Sequence, residues 1–309
     1  MRRVAAALVV PLLLLTAACG DGKGSSASST PLPAVTAGAK FGEKPTVAKG
    51  SGNPPGNLVV NTLSRGNGPT VHKDDFVSVN YLGQLWNSDQ PFDNSYDRGQ
   101  PLGIQVGAGQ VIKGWDQALV GQKVGSRIEM SIPPDLGYGA QGQPPTIPAN
   151  STLVFVVDIL KSTSGSGTAK GAVQPQNDAS LPKVGTNTDG KAPSIDVPKT
   201  SAPKSLVANY VIEGNGPAVK SSDTVIVQYK GVLWDGGKQF DSSYDRGQPA
   251  SFALNQVVKG WAEGLTGKKV GSRVLIVIPP DLGYGSQGNP PTIPANATLV
   301  FSVDIIGTL

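Results

Sequence analysis

The sequence predicts an α+β fold used twice: two domains, each an antiparallel sheet folded over one short helix. Three observations carry this. First, Pro91-Phe92-Asp93-Asn94-Ser95-Tyr96-Asp97-Arg98-Gly99-Gln100-Pro101 returns as Gln239 to Pro249 with two changes, and Ile132 to Gly139 returns as Ile278 to Gly285 with none. The offset is 148 at Phe92/Phe240 and 146 at Tyr138/Tyr284, so the second copy lacks two residues in between. A period of that length is a duplicated domain, since solenoid repeats run to about 20–50 residues. Second, apolar residues alternate over several short runs. Third, each copy holds a single short helical pattern.

The elements follow in order. Val77, Val79 and Tyr81 alternate with Ser78 and Asn80, which is the period-two signature of a half-buried strand. Gly114 to Val120 reads as a helix with Trp115, Ala118 and Leu119 on one face, ended by Gly121. Ile128, Met130 and Ile132 mark a second strand, and Leu153, Phe155, Val157 and Ile159 a third. Between these two, residues 133–149 form a loop rich in Pro and Gly, long enough to suggest a function. The second copy repeats the plan with Val225/Val227/Tyr229, a helix after Gly260, Val274/Ile276/Ile278 and Leu299/Phe301/Val303/Ile305.

Domain boundaries are expected at 57–161 and 204–309. Residues 19–56 and 162–203 are rich in Gly, Ser, Ala, Thr and Pro and read as a flexible tether and a flexible linker. The domains are then expected to move independently. Residues 1–18 read as a signal peptide of lipoprotein type: Arg2-Arg3, an apolar run from Val4 to Leu15, and Ala17-Ala18 before Cys19, the only cysteine. This resembles a bacterial lipoprotein leader, which implies lipidation of Cys19, a membrane attachment through the lipid, and an extracytoplasmic location, or secretion if Cys19 stays bare.

Several function classes are excluded. The formal net charge is +4 over 309 residues, too small and too evenly spread for a nucleic-acid partner. His72 is the only histidine and has no counterpart in the second copy, so neither a shared triad nor a Cys/His zinc site can be built. No glycine-rich phosphate cradle joins a strand to a helix. What the copies share is an aromatic set: Tyr81, Phe92, Trp115, Tyr138 and Phe155, matched by Tyr229, Phe240, Trp261, Tyr284 and Phe301. With Val111-Ile112 or Val257-Val258 these residues either line an apolar pocket or fill the core; the pattern alone leaves both open.

Taken in order, Tyr-x-Gly, Phe-Asp-x-Ser-x-Asp-Arg, Val-Ile-Lys-Gly-Trp, Gly-x-Arg, Pro-x-x-x-Tyr-Gly, Ile-Pro and Thr-Leu-Val-Phe resemble the FK506-binding-protein type of peptidyl-prolyl isomerase, across nearly all of both domains. The resemblance implies a five-stranded antiparallel sheet wrapped around one helix, and an isomerase without cofactor or metal. It implies Trp115 as the floor under a substrate proline, with Tyr81, Phe92, Val111, Ile112 and Phe155 as walls. Tyr138 and the Ile112 N–H would donate hydrogen bonds, and Asp93 would accept from Tyr81 and pair with Arg98. In the second copy these places fall to Trp261, Tyr229, Phe240, Val257, Val258, Phe301, Tyr284, Asp241 and Arg246. Partners would be proline-containing polypeptides, exported proteins among them, and FK506- or rapamycin-like macrolides. The alternative is a non-catalytic holdase that grips clients with the same surface. The chain departs from the family at Leu102 and Ala250, where an aromatic is common, at Gln143 and Asn289, and at Thr146 and Thr292. The missing pair falls between Leu254 and Val257, close to the rim, so the second site is expected to have the smaller rim and to be the weaker catalyst.

Overall fold

The computed structural model describes residues 31–309. The leader and Cys19 lie outside the described residues. Strands β1 (Val35–Ala37) and β2 (Thr46–Val47) precede the first sheet, made of β3 (Val59–Ser64), β4 (Phe76–Leu85), β5 (Pro91–Asn94), β6 (Leu102–Gln105), β7 (Arg127–Ile132) and β8 (Leu153–Thr163), with α1 (Lys113–Leu119) between β6 and β7. The strand order is β3-β7-β8-β4-β5, all antiparallel. β5 pairs with the far half of β4 and β6 with its near half, so two short strands share one edge of a five-position sheet.

Burial follows the alternation. Val77, Val79, Tyr81, Ile128, Met130, Ile132, Leu153, Phe155, Val157 and Ile159 point to one face and form a core with Trp115, Ala118 and Leu119 of the helix. A Cβ on Gly114 would lie 2.5 Å from Ile132 Cγ2, so glycine lets α1 press directly on the sheet. That contact sets Trp115 as the centre of the concave side.

The second copy repeats this with β12 (Val207–Gly214), β13 (Thr224–Leu233), β14 (Gln239–Ser242), β15 (Ala250–Ala253), α2 (Lys259–Leu265), β16 (Arg273–Ile278) and β17 (Leu299–Thr308). Before β12 come β9 (Gly171–Val173), β10 (Lys183–Val184) and β11 (Ile195–Asp196). β9 adds an outer strand beside β12.

The segments expected to be flexible differ from that expectation. Residues 31–56 lie across the convex face of the first sheet as a strap. Val47 is buried there against Leu82, Trp86, Val154 and Val156, with Leu32 and Val35 alongside. Residues 169–202 do the same behind the second sheet, where Ala169 and Val184 join Val211, Val232, Trp234, Leu275, Val277 and Val300. In each copy a fully buried ion pair holds the strap. Arg127 meets Asp158 at 2.6 and 2.7 Å and donates to the carbonyls of Gly38 and Glu43. Arg273 meets Asp304 at 2.6 and 2.7 Å and donates to Gly185 and Asn187. Trp86 Nε1 donates to Gly52 O and Trp234 Nε1 to Thr200 O, both across 34 residues. The strap is thus part of the duplicated unit. Low apolar content suggested flexibility; three or four anchors and an arginine fork are enough to hold a strap on a preformed sheet.

The two units also touch. Lys161 Nζ donates to Thr308 Oγ1 at 2.7 Å and Thr163 Oγ1 to Thr308 O at 3.2 Å, joining the ends of β8 and β17.

Candidate functional site

Each unit has a cup on its concave side, floored by an indole. Trp115 and Trp261 are 3% and 5% exposed, so only one face of each ring meets the cavity. Around Trp115 stand Tyr81 at 5.4 Å and 88°, and Phe155 at 5.3 Å and 87°; Phe92 closes on Phe155 at 5.7 Å and 87°. The second cup has the same edge-to-face set: Tyr229 on Trp261 at 5.5 Å, Phe301 at 5.3 Å, and Phe240 on Phe301 at 5.4 Å. Each such pair contributes about 0.5–1.5 kcal/mol beyond its buried area, so the walls are stiff. Gly83 and Gly231 are required for this packing. A Cβ on Gly83 would sit 2.4 Å from Phe155 Cε1, and one on Gly231 2.7 Å from Phe240 Cζ.

The first cup, about 140 Å³, is lined by Tyr81, Phe92, Asp93, Val111, Ile112, Trp115, Tyr138 and Phe155, together with Leu102 and Gln110. The second, about 350 Å³, brings together Tyr229, Phe240, Asp241, Val257, Val258, Trp261, Tyr284 and Phe301, with Phe252 and Gln256. Every residue expected to line a pocket therefore reaches one of the two cavities, while Arg98 and Arg246 stand behind Asp93 and Asp241. A groove of about 410 Å³ lies behind the second sheet, between the strap and β12, but none of these residues lines it. Size alone does not mark the site.

The polar groups of the cups are engaged with one another. Tyr81 Oη donates to Asp93 Oδ2, and Arg98 donates to Asp93 Oδ1 and, at 2.8 Å, to Tyr81 Oη. Tyr229, Asp241 and Arg246 repeat the triangle, with Arg246 at 2.6 Å from Asp241 and 2.8 Å from Tyr229. Burial, reinforced by the hydrogen bond to Asp93, raises the Tyr81 hydroxyl above its usual range. The Tyr229 hydroxyl is pushed up to about 12 by burial and by its hydrogen bond to Asp241. Burial works to raise the Asp241 carboxyl, but the hydrogen bonds from Tyr229 and Arg246 outweigh it and hold the group low. The tyrosines stay protonated, and each carboxylate is bound by a tyrosine hydroxyl and an arginine, so the polar groups of the cup are satisfied by one another.

Two further groups shape the cup. Ile112 is the extended residue opening α1, and a first N–H of a helix has no acceptor in a preceding turn. Tyr138 stands at the rim, 37% exposed, at the end of the turn Pro134–Leu136, with its hydroxyl raised by burial and by the nearby Asp93 charge. Its loop is held by Gly139 N–H to Pro134 O at 2.8 Å and by the buried Ile147.

Sequence reasoning missed Ser95 and Ser243. Both are fully buried; the Tyr81 N–H donates to Ser95 Oγ at 2.9 Å and the Tyr229 N–H to Ser243 Oγ at 2.8 Å, which fixes each tyrosine's backbone. Their unchanged place in the repeated motif was the available signal. Phe252 was also missed, because its counterpart Ile104 is not aromatic.

The model of the FKBP-type peptidyl-prolyl cis-trans isomerase domain matches twice, over residues 68–160 and 216–306, more than half of the chain. The chain belongs to the FKBP-type peptidyl-prolyl isomerase family. It is similar to peptidyl-prolyl cis-trans isomerase FKBP9 of Mus musculus, 35% identical over 242 residues, which cover 77% of this chain and 35% of that protein. It is also similar to the FKBP-type isomerase FkpA of Escherichia coli K12, 53% identical over 108 residues, 35% of this chain and 39% of that one. These matches span little more than a third of either relative. A crystal structure of the three FKBP domains of wheat FKBP73 covers 82% of this chain at 20% identity, with a TM-score of 0.37.

Proposed function

We propose that both cups catalyse cis–trans rotation about Xaa-Pro bonds of exported polypeptides, without covalent chemistry. The observation that supports this most is the cup itself: an indole floor, edge-on aromatic walls, and acid–base groups already bound to one another. Resonance holds the planar amide behind a barrier of about 18–20 kcal/mol. Twisting the bond localises the nitrogen lone pair and removes much of the amide's charge separation. A dry, weakly polar cup favours that twisted state over the planar one, and each 1.36 kcal/mol of preference is about tenfold in rate. Tyr138 or Tyr284, with the Ile112 or Val258 N–H, would hold the flanking carbonyls while Trp115 or Trp261 carries the ring.

The same cavities would accept FK506- or rapamycin-like macrolides. The leader at Met1–Cys19 supports a lipid-anchored, extracytoplasmic enzyme that relieves slow prolyl steps in folding clients. Phe92→Ala/Phe240→Ala removes a half-buried wall from each cup. Proline isomerisation by the wild-type chain should exceed that of this double variant by at least about tenfold. Equal rates, with client binding retained, would favour the holdase. Loss of membrane fractionation in Cys19→Ser checks the anchor.

A further inference from the structure

Granting the isomerase reading, the two cups are not equivalent, and the difference lies in one pair of positions. On β6, Leu102 and Ile104 face the core; on β15 their places are taken by Ala250 and Phe252. The registers agree, with Leu102 opposite Val79 and Ala250 opposite Val227. Leu102 lines the first cup and Ile104 does not, being buried beneath it. In the second cup Ala250 has left the wall and Phe252 has entered it, with its ring 5.2 Å from Trp261 and 5.7 Å from Tyr229. A medium side chain over a medium one has become a small one over a large one.

The loop that follows points the same way. In the first copy it runs Val106 to Gln110 and is tied to the helix, the Gly107 N–H donating to Asp116 Oδ1 at 2.8 Å. In the second, Leu254–Asn255–Gln256 replaces it, two residues shorter, and Ala262 stands where Asp116 was. The two cavities are about 140 and 350 Å³. The second cavity is the larger, against the smaller rim expected from the sequence, and Phe252 is among its lining residues.

We propose that Leu102 and the Ala250/Phe252 pair set which residue each cup accepts before the proline: small side chains in the first, bulky apolar or aromatic ones in the second. The residue preceding the proline lies across the rotating bond, so its side chain sweeps the mouth of the cup during the reaction. Leu102 is a half-buried lining residue of the first cup, whereas Ala250 does not line the second. Carbon groups admitted to or refused by an apolar pocket discriminate by about tenfold or more.

The test uses the full chain with one cup silenced, by Phe92→Ala/Asp93→Ala or by Phe240→Ala/Asp241→Ala. Ala-Pro, Leu-Pro and Phe-Pro peptides are compared by kcat/KM and by fluorescence titration of the cup tryptophan. The Phe-to-Ala preference of the second cup should exceed that of the first by about tenfold. Leu102→Ala should move the first cup toward the second, and Ala250→Leu the reverse. Turnover with equal preferences in both cups, or preferences unmoved by the exchange, overturns the inference. Selective peptide binding without turnover in either cup would overturn the isomerase reading and leave the selectivity standing.

Discussion

Gly83 contributes no side chain, and the first cup depends on that. Its strand β4 is paired on both sides, so the backbone cannot retreat from a new methyl. In Gly83→Ala the Cβ would press on Phe155 at 2.4 Å and Phe92 at 3.0 Å. The expected cost is about 1–3 kcal/mol in urea unfolding, with first-cup turnover lost and second-cup turnover kept. Glu129 makes the opposite case, a residue the site does not use. It is 3% exposed on the convex face of β7, and its Oε1 has no hydrogen-bond partner among the described residues. Burial pushes its carboxyl from 4.5 up to about 7. The folded chain therefore keeps a proton that the unfolded chain has lost between those values. The contribution of this one group to stability is full below pH 4.5 and falls as pH climbs to 7, by about 3 kcal/mol at most. The second copy has Leu275 at this place. Glu129→Leu should raise the thermal midpoint clearly at pH 8 and little at pH 4, and Glu129→Gln should flatten the pH dependence. Equal gains at both pH values would assign the effect to packing instead.

At the scale of elements, the strands and helices that face the cup were legible and the straps were not. Val77/Val79/Tyr81 and Leu153/Phe155/Val157/Ile159 are long enough for alternation to show, and they are the central strands. β5 and β6 have four residues each, too few to establish a period, and their side-by-side place on β4 is set by tertiary packing. In the strap, Leu32, Val35 and Val47 are spread over sixteen positions, among small, proline and charged residues and the exposed Phe41. The clue was in the repeat, since Leu32-Pro33-Ala34-Val35 and Pro45-Thr46-Val47 return as Leu181-Pro182-Lys183-Val184 and Pro193-Ser194-Ile195. The arginine fork explains how so few anchors suffice. In Arg127→Met the Asp158 carboxylate stays buried without its partner, which costs about 3–5 kcal/mol. The paired change Arg127→Met/Asp158→Leu should recover most of that stability while leaving the strap carbonyls of Gly38 and Glu43 without a donor. Limited proteolysis should then cut within residues 38–44 faster than in wild type, with the sheet intact. Unchanged cleavage would mean that Val47 and its neighbours hold the strap alone.

For the whole molecule, the duplication was plain in the motifs, but the repeating unit is larger than they suggested. A second unit beginning at 204 would omit β9, β10 and β11. It would uncover Val211, Val232, Trp234, Leu275, Val277 and Val300 together on one convex face. A contiguous apolar patch of that kind promotes association, and Arg273 would lose its acceptors at Gly185 and Asn187. The family match begins at 216 and so follows the cup and not the strap. A fragment of residues 168–309 should therefore stay monomeric and melt close to the second unit of the full chain. A fragment of residues 204–309 should melt several degrees lower and self-associate, although its cup is complete. The comparison is made by calorimetry and sedimentation, with isomerase activity measured on both. Equal melting points and monomers for the two fragments would show that the strap is an ornament of the fold; the expected difference makes it the back wall on which each cup's sheet depends.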